Sequence, residues 1–95
     1  MKDPRVSVVL AMYNGLNYIQ ESLQSIQAQT ISDWELIVIN EYGSDDGCAD
    51  LVLEYAKSDS RIRLIQNTAH LGLAESLNVG IEAASGEYIA RVDVD

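Results

Sequence analysis

The stretch RVSVVLAMY, residues 5–13, decides the fold. Val6, Val8, Val9 and Leu10 crowd branched apolar side chains into a run too short for a helix, so it reads as a buried strand. ELIVIN, residues 35–40, and YIARVD, residues 88–93, read the same way, and IRLIQ, residues 62–66, is a weaker fourth. Between these runs the apolar period changes. Tyr18, Ile19, Ser22, Leu23 and Ile26 fall at helical spacing, as do Ala49, Val52, Tyr55 and Ala56, and then Ala74, Leu77, Ile81 and Ala84. Asn14 is the expected cap of the first helix and Asp46 of the second. Gly86 is expected to end the third.

Strands separated by single helices make crossover units, which give a parallel sheet with helices on its faces. Such crossovers are right-handed in nearly all cases. The expectation is an α/β, open doubly wound parallel sheet in the order 3-2-1-4, with the fourth strand beside the first. Ligands in such sheets bind outside the carboxyl ends of the strands. That rule places Met12–Asn14, Asn40–Ser44, Asn67–His70 and Asp93–Asp95 along one edge.

Ninety-five residues make one small domain or a piece of a larger one. Hydrophobic residues are 47% of the chain, enough for a packed core. No run of apolar residues is long enough to span a membrane. The opening MKDPRVSVVL carries charges and a proline ahead of an apolar run too short for a secretory signal, so a cytoplasmic location is the default expectation. Cys48 is alone, which excludes an internal disulfide, and reads as a small packing residue near a helix start.

Fifteen acids against six bases give a formal net charge of −9, which argues against a nucleic-acid partner. The same charge sets a condition on any phosphate ligand. Two like unit charges 4 Å apart repel by about 4 kcal/mol at an effective dielectric of 20. An acidic site holds an anion only when something positive sits between them.

Asp93 and Asp95 flank one valine at the end of the last strand-like run. In an extended segment their side chains point the same way. Two such carboxylates are either a solvated acidic end or oxygen ligands for a hard cation, Mg²⁺ or Mn²⁺, which binds carboxylates together with substrate phosphates. INEYGSDDG, residues 39–47, is a turn held by Gly43 and Gly47; it is either a loop that caps a helix or one that reads a base or ribose through Asn40 and Glu41. Tyr13 either stacks on a base or covers the sheet edge. Gly15 is the one glycine near the first turn, so a phosphate-cradling glycine loop is excluded there. His70 reads as a surface-loop histidine, Trp34 as packing, and Arg61 and Arg63 as solvated or as phosphate contacts.

Taken in order, these stretches resemble the inverting glycosyltransferases of the GT-A fold, family 2. VSVVLAMYNG is similar to that family's opening strand and turn, GSDDG to its G-S-T-D-G turn, and HLGLAESLNVGIEAASGEYIARVDVD to its third helix, G-E-Y-I-A strand and D-x-D. The resemblance implies a Rossmann-like GT-A N-terminal half that binds a nucleotide-diphosphate sugar, UDP-linked by expectation. It implies nucleobase contacts from Met12 and Tyr13, and a base or ribose contact from Asn40 or Glu41. NEYGS departs from the family's D-D-G-S by one residue. Asp93 maps to the ribose or metal shell, and Asp95 to the metal, Mn²⁺ or Mg²⁺, that bridges the diphosphate. Family members continue past the D-x-D, so residues 1–95 are expected to be a fragment, inactive alone, with the catalytic base beyond Asp95 and a strand edge inclined to self-association. The rival readings are a non-catalytic nucleotide-binding or interaction module on the same sheet, and a phosphatase of the haloacid dehalogenase type. The latter places its D-x-D after the first strand, not the fourth.

Overall fold

The computed structural model describes residues 4–30 and 32–92. Strand and helix alternate throughout: β1 (Val6–Met12), α1 (Leu16–Gln27), β2 (Trp34–Asn40), α2 (Cys48–Ser58), β3 (Ile62–Gln66), α3 (Gly72–Ala83) and β4 (Tyr88–Val92). Every strand pair is parallel and the order is β3-β2-β1-β4, as expected from the sequence. Met12 lies beside Asn40, Asn40 beside Gln66, and Leu10 beside Val92. This register brings the carboxyl ends of the strands to one edge.

Successive strand residues point to opposite faces. Val8, Leu10, Met12, Leu36 and Val38 pack with Ile19, Leu23 and Ile26 of α1 and Cys48 and Val52 of α2. Val9, Ile37 and Ile39 point the other way, toward Leu77 and Ile81 of α3. Both faces are covered, so β1 and β2 carry apolar residues at nearly every position.

The closest approach of α3 depends on small side chains that apolar periodicity does not mark. Its buried residues are Ser76 and Gly80, whereas Ala74 is exposed. A Cβ on Gly80 would stand 2.4 Å from Val9 Cγ1 and 2.5 Å from Ile39 Cδ1.

β4 corrects the expectation of a fourth buried strand. Tyr88, Ile89, Ala90 and Arg91 are exposed, and Val92 alone packs on the α1 and α2 face. The strand is an edge of the sheet, and α3 lies over β1 and β2 instead.

Gly86 does not end α3, which stops at Ala83 and leaves through an extended Ala84. The glycine is required where the chain enters β4, because a Cβ there would stand 2.6 Å from the Ser7 backbone nitrogen. Gly86 N–H donates to Ser7 Oγ at 2.7 Å, and Ser7 Oγ donates to Glu35 Oε2 at 2.5 Å. Glu35 also accepts the N–H and hydroxyl of Ser85.

Both candidate phosphate arginines sit toward the amino ends of the strands. Arg61 pairs with Asp59 at 2.9 Å and lies 3.9 Å over the ring of buried Trp34. Arg63 reaches Glu35 at 3.6 Å. The structure brings neither to the carboxyl edge.

Candidate functional site

The loops after β1 and β2 are laced together. Glu41 N–H donates to the Met12 carbonyl at 2.8 Å, and Asn14 N–H to Ser44 Oγ at 2.6 Å. Asp45 N–H donates to Asn14 Oδ1 at 2.7 Å, and Leu16 N–H to Asp46 Oδ2 at 2.9 Å. Asn14 holds φ at +50°, in the left-handed region that asparagine tolerates better than most side chains. Its side chain therefore serves the neighbouring loop and does not cap α1, contrary to the sequence expectation.

Asp46 takes over that role. Its Oδ2 holds the first N–H of α1, and its Oδ1 accepts the N–H of Cys48, the first residue of α2, at 3.0 Å. The N-cap of α2 is Gly47 rather than the expected Asp46, which stands one residue earlier and holds the first N–H of both helices. The Cys48 thiol, then the two N–H groups, outweigh partial burial and hold the Asp46 carboxyl below its ordinary range. Cys48 itself is buried, as expected of a packing residue.

Glu41 performs the equivalent service for α3. Its Oε1 accepts Tyr42 N–H at 3.1 Å and Leu71 N–H at 3.2 Å, and its Oε2 accepts Ser76 Oγ–H at 3.3 Å. Leu71 is the residue that opens α3. Burial opposes ionisation of Glu41, which is 6% exposed, but the N–H groups of Leu71 and Tyr42 and the Asn67 and Ser76 side chains overcome it and lower its pKa. Each of the three helices therefore gives a leading N–H to a carboxylate at this edge. A helix N-terminus ordinarily attracts anions; here protein carboxylates already stand in that place.

The sequence candidates divide by exposure. Met12 is wholly buried and its carbonyl is occupied by Glu41. Asn40 is 4% exposed, donates from Nδ2 to Gln66 Oε1 at 2.8 Å, and gives its backbone carbonyl to Asn67 N–H. Tyr13 is 49% exposed, and it alone of the described candidates presents a side chain to solvent. Asp93 and Asp95 lie outside the described residues. Among the described residues no group of three or more His, Cys, Asp or Glu side chains is placed to hold a metal ion.

Sequence reasoning passed over Tyr42 and the partner of His70. Their rings meet edge to face, with centroids 4.9 Å apart at 78°. The available signal was the length of NEYGS, since Tyr42 stands between the end of β2 and the Gly43–Ser44 turn. Beside these loops an open polar cleft of about 360 Å³ is lined by residues that include Asn40, Ser44, Asp45, Gln66 and Asn67.

A parallel 3-2-1-4 sheet with its polar loops on the carboxyl edge is one half of the geometry; the family is the other. The profile of Glycosyl transferase family 2 matches residues 7–95. The chain belongs to glycosyl transferase family 2. This family 2 chain is 46% identical over 96 residues to an uncharacterized glycosyltransferase of Haemophilus influenzae, covering 97% of this chain and 28% of that protein. It thus spans 26 to 28% of the length of this relative and of two Bacillus subtilis glycosyltransferases, EpsH and EpsJ, that it also matches. Its fold matches the mannosyltransferase PcManGT from Pyrobaculum calidifontis in complex with GDP-Man and Mn²⁺, at a TM-score of 0.80 and 29% identity, over 94% of this chain and 27% of that one. It also matches S. aureus TarS 1-349 in complex with UDP-GlcNAc at a TM-score of 0.78 and 24% identity, over 94% of this chain and 26% of that one, a likeness of fold. The sheet order is that of a Rossmann-like GT-A half. No helix of the described residues is long and apolar enough to cross a membrane.

Proposed function

We propose that residues 1–95 are the donor half of a metal-dependent inverting glycosyltransferase, which moves a sugar from a nucleotide diphosphate to an acceptor hydroxyl. The observation that carries the metal dependence is electrostatic. Glu41 and Asp46 occupy leading N–H groups of all three helices, in a chain of net charge −9. A diphosphate arriving at this edge meets carboxylates, and only a cation between them makes binding favourable. Asp93 and Asp95 supply hard oxygen donors suited to Mn²⁺ or Mg²⁺. PcManGT, whose fold matches, is held with Mn²⁺ and GDP-Man.

In this reading Tyr13 stacks on the base. The Met12 backbone and the buried Asn40 and Glu41 form the floor beneath base and ribose, Asp93 meets the ribose or metal shell, and Asp95 is a metal ligand. When bound, the cation neutralises charge that develops on the leaving diphosphate. A carboxylate beyond Asp95 takes the acceptor hydroxyl proton. The acceptor oxygen bonds to the anomeric carbon as the diphosphate leaves from the opposite face, which inverts the centre.

The test is release of nucleotide diphosphate by the full-length protein with panels of donors and acceptors. Turnover is expected, with a loss of about 100-fold or more in Asp95→Ala. A chain of residues 1–95 alone is expected to transfer no sugar; transfer at the parent's rate would place the base among the residues present. Nucleotide binding by the full-length protein without turnover on any donor would favour a non-catalytic module.

A further inference from the structure

Ser7 is a wholly buried polar residue of β1, on the face that Val9 shares with Ile37 and Ile39 beneath α3. Its hydroxyl works in both directions: it accepts the N–H of Gly86 at 2.7 Å and donates to Glu35 Oε2 at 2.5 Å. Glu35 is the direct neighbour of Ser7 across the β1–β2 pair. The same Oε2 accepts the N–H of Ser85 at 2.8 Å and its hydroxyl at 3.1 Å. Arg63 stands 3.6 Å from Glu35 Oε1 and donates to the carbonyl of Ala83, the last residue of α3, at 3.0 Å. A hydroxyl and a carboxylate on the two central strands thus hold, directly or through Arg63, the segment that carries the chain from α3 into β4.

β4 takes little else from the core. Among the described residues, Val92 alone of that strand packs on it, and Tyr88, Ile89, Ala90 and Arg91 are exposed. A strand with so small a buried face has a weakly specified register, and a slip of one residue turns every side chain to the opposite face. The slip also moves the chain by about 3.3 Å, whereas a functional constellation tolerates displacements of only about 0.5 Å. Gly86 is the key against such a slip. A Cβ there would stand 2.6 Å from both the nitrogen and the Oγ of Ser7. Shifting the chain by one residue either way puts Ser85 or Glu87 where only glycine fits. Two residues on, Tyr88 N–H donates to the Arg5 carbonyl at 3.0 Å, and the pairing of β4 with β1 begins.

We propose that Ser7 and Glu35 are positioning residues for donor binding: they lock the chain at Gly86, set the register of β4 on β1, and through it the place of Asp93 and Asp95, which follow β4 directly in sequence. This rests on the donor-binding reading above and extends it to two residues toward the amino ends of the strands, away from the edge that binds the ligand. Neither touches the donor; both act through β4.

The experiment is amide hydrogen exchange, and calorimetry of UDP and GDP with Mn²⁺, on the full-length wild type, Ser7→Ala, Glu35→Ala, Glu35→Gln and Ser85→Ala, each below its melting midpoint. Glutamine keeps an acceptor oxygen for Ser7 and Ser85 and gives up only the charge that faces Arg63. In Ser7→Ala and Glu35→Ala the Tyr88 amide and its β4 neighbours are expected to exchange roughly 10- to 100-fold faster relative to β2. Affinity for the nucleotide that the wild type binds should fall by roughly 10-fold or more. Ser85 is exposed, so Ser85→Ala should fold as the wild type does and move both readings the same way to a smaller degree; it carries the test if Ser7→Ala does not fold. Glu35→Gln should stay near the wild type in both. Exchange that quickens equally in β2 and β4, with affinity unchanged, would overturn the proposal and leave Ser7 and Glu35 as ordinary stabilising residues. Faster β4 exchange without loss of affinity, or loss of affinity with β4 exchange unchanged relative to β2, would overturn it as well, and the donor-binding reading survives all three results. A Glu35→Gln protein as impaired as Glu35→Ala would assign the hold to the Arg63 ion pair and overturn the part given to Ser7. A wild type that binds neither nucleotide would remove the donor-binding reading and the positioning role with it.

Discussion

Asn14 Oδ1 accepts the backbone N–H of Asp45 at 2.7 Å, and its own N–H donates to Ser44 Oγ. A single left-handed residue thus joins the turns after β1 and β2. Removing the side chain loses one hydrogen bond, about 0.5–1.5 kcal/mol. It also leaves alanine at φ +50°, where a non-glycine residue without local hydrogen bonds pays roughly 1–2 kcal/mol. Asn14→Ala should therefore lower unfolding free energy by about 1.5–3.5 kcal/mol in a urea titration. Asn14→Gly should lose less, because it keeps the backbone angle. Equal losses would mean that the angle carries no strain.

Gly80 allows α3 to rest on Val9 and Ile39. Alanine is the better helix former by about 1 kcal/mol, but its methyl would enter space those side chains fill. Overpacking of this kind costs about 1–3 kcal/mol. Gly80→Ala is expected to be destabilising, by up to about 2 kcal/mol, in thermal or urea unfolding. A stabilised variant would show that α3 can shift away from the sheet at no cost.

These two residues mark what the sequence made legible. The succession of strands and helices followed from β-branched runs such as Val6–Leu10 alternating with helical spacing such as Ile19, Leu23 and Ile26, because both patterns are local. The roles of Asn14 and Glu41, and the bond of Asp46 to the first helix, were not legible, since each joins residues about thirty positions apart that only the folded sheet brings near. Ser76 and Gly80 were invisible to a search for apolar spacing because closeness there requires small residues. Tyr88 and Ile89 read as core from their chemistry, but burial depends on what lies over the strand. The D-x-D was conspicuous in the sequence, and its two aspartates lie outside the described residues.

Acid should destabilise the fold. The Arg61 guanidinium holds Asp59 down to about 2, despite partial burial. Glu35 and Glu41 sit below their ordinary values because the hydrogen bonds of Ser7 and Ser85, and of Leu71 and Tyr42, outweigh burial. A carboxyl depressed in the folded state stabilises it above the unfolded pKa, about 4, and that contribution fades as pH falls through the folded value. Urea midpoints should be level above about pH 5 and drop between about pH 4 and pH 2. Asp59→Asn should flatten the lower part of that slope. A midpoint that rises on acidification would contradict these assignments.

Glu41 is expected to act through the loop it holds. Glu41→Ala strands the Leu71 N–H and the Ser76 hydroxyl, at about 1–3 kcal/mol. Amide exchange at Leu71 and Tyr42 should quicken, while exchange in β1 follows only the global loss. Unchanged protection at Leu71 would remove Glu41 as the anchor of α3.

The central claim is that this acidic edge binds a nucleotide diphosphate only through a divalent cation held by Asp93 and Asp95. Calorimetry of UDP and of GDP, with Mn²⁺ and again with EDTA, on the wild-type protein and on Asp95→Ala, measures it directly. The account predicts binding of at least one nucleotide with Mn²⁺, loss of that binding in EDTA, and loss in Asp95→Ala with Mn²⁺ present. Equal affinity with and without the cation, or full affinity in Asp95→Ala, would contradict it.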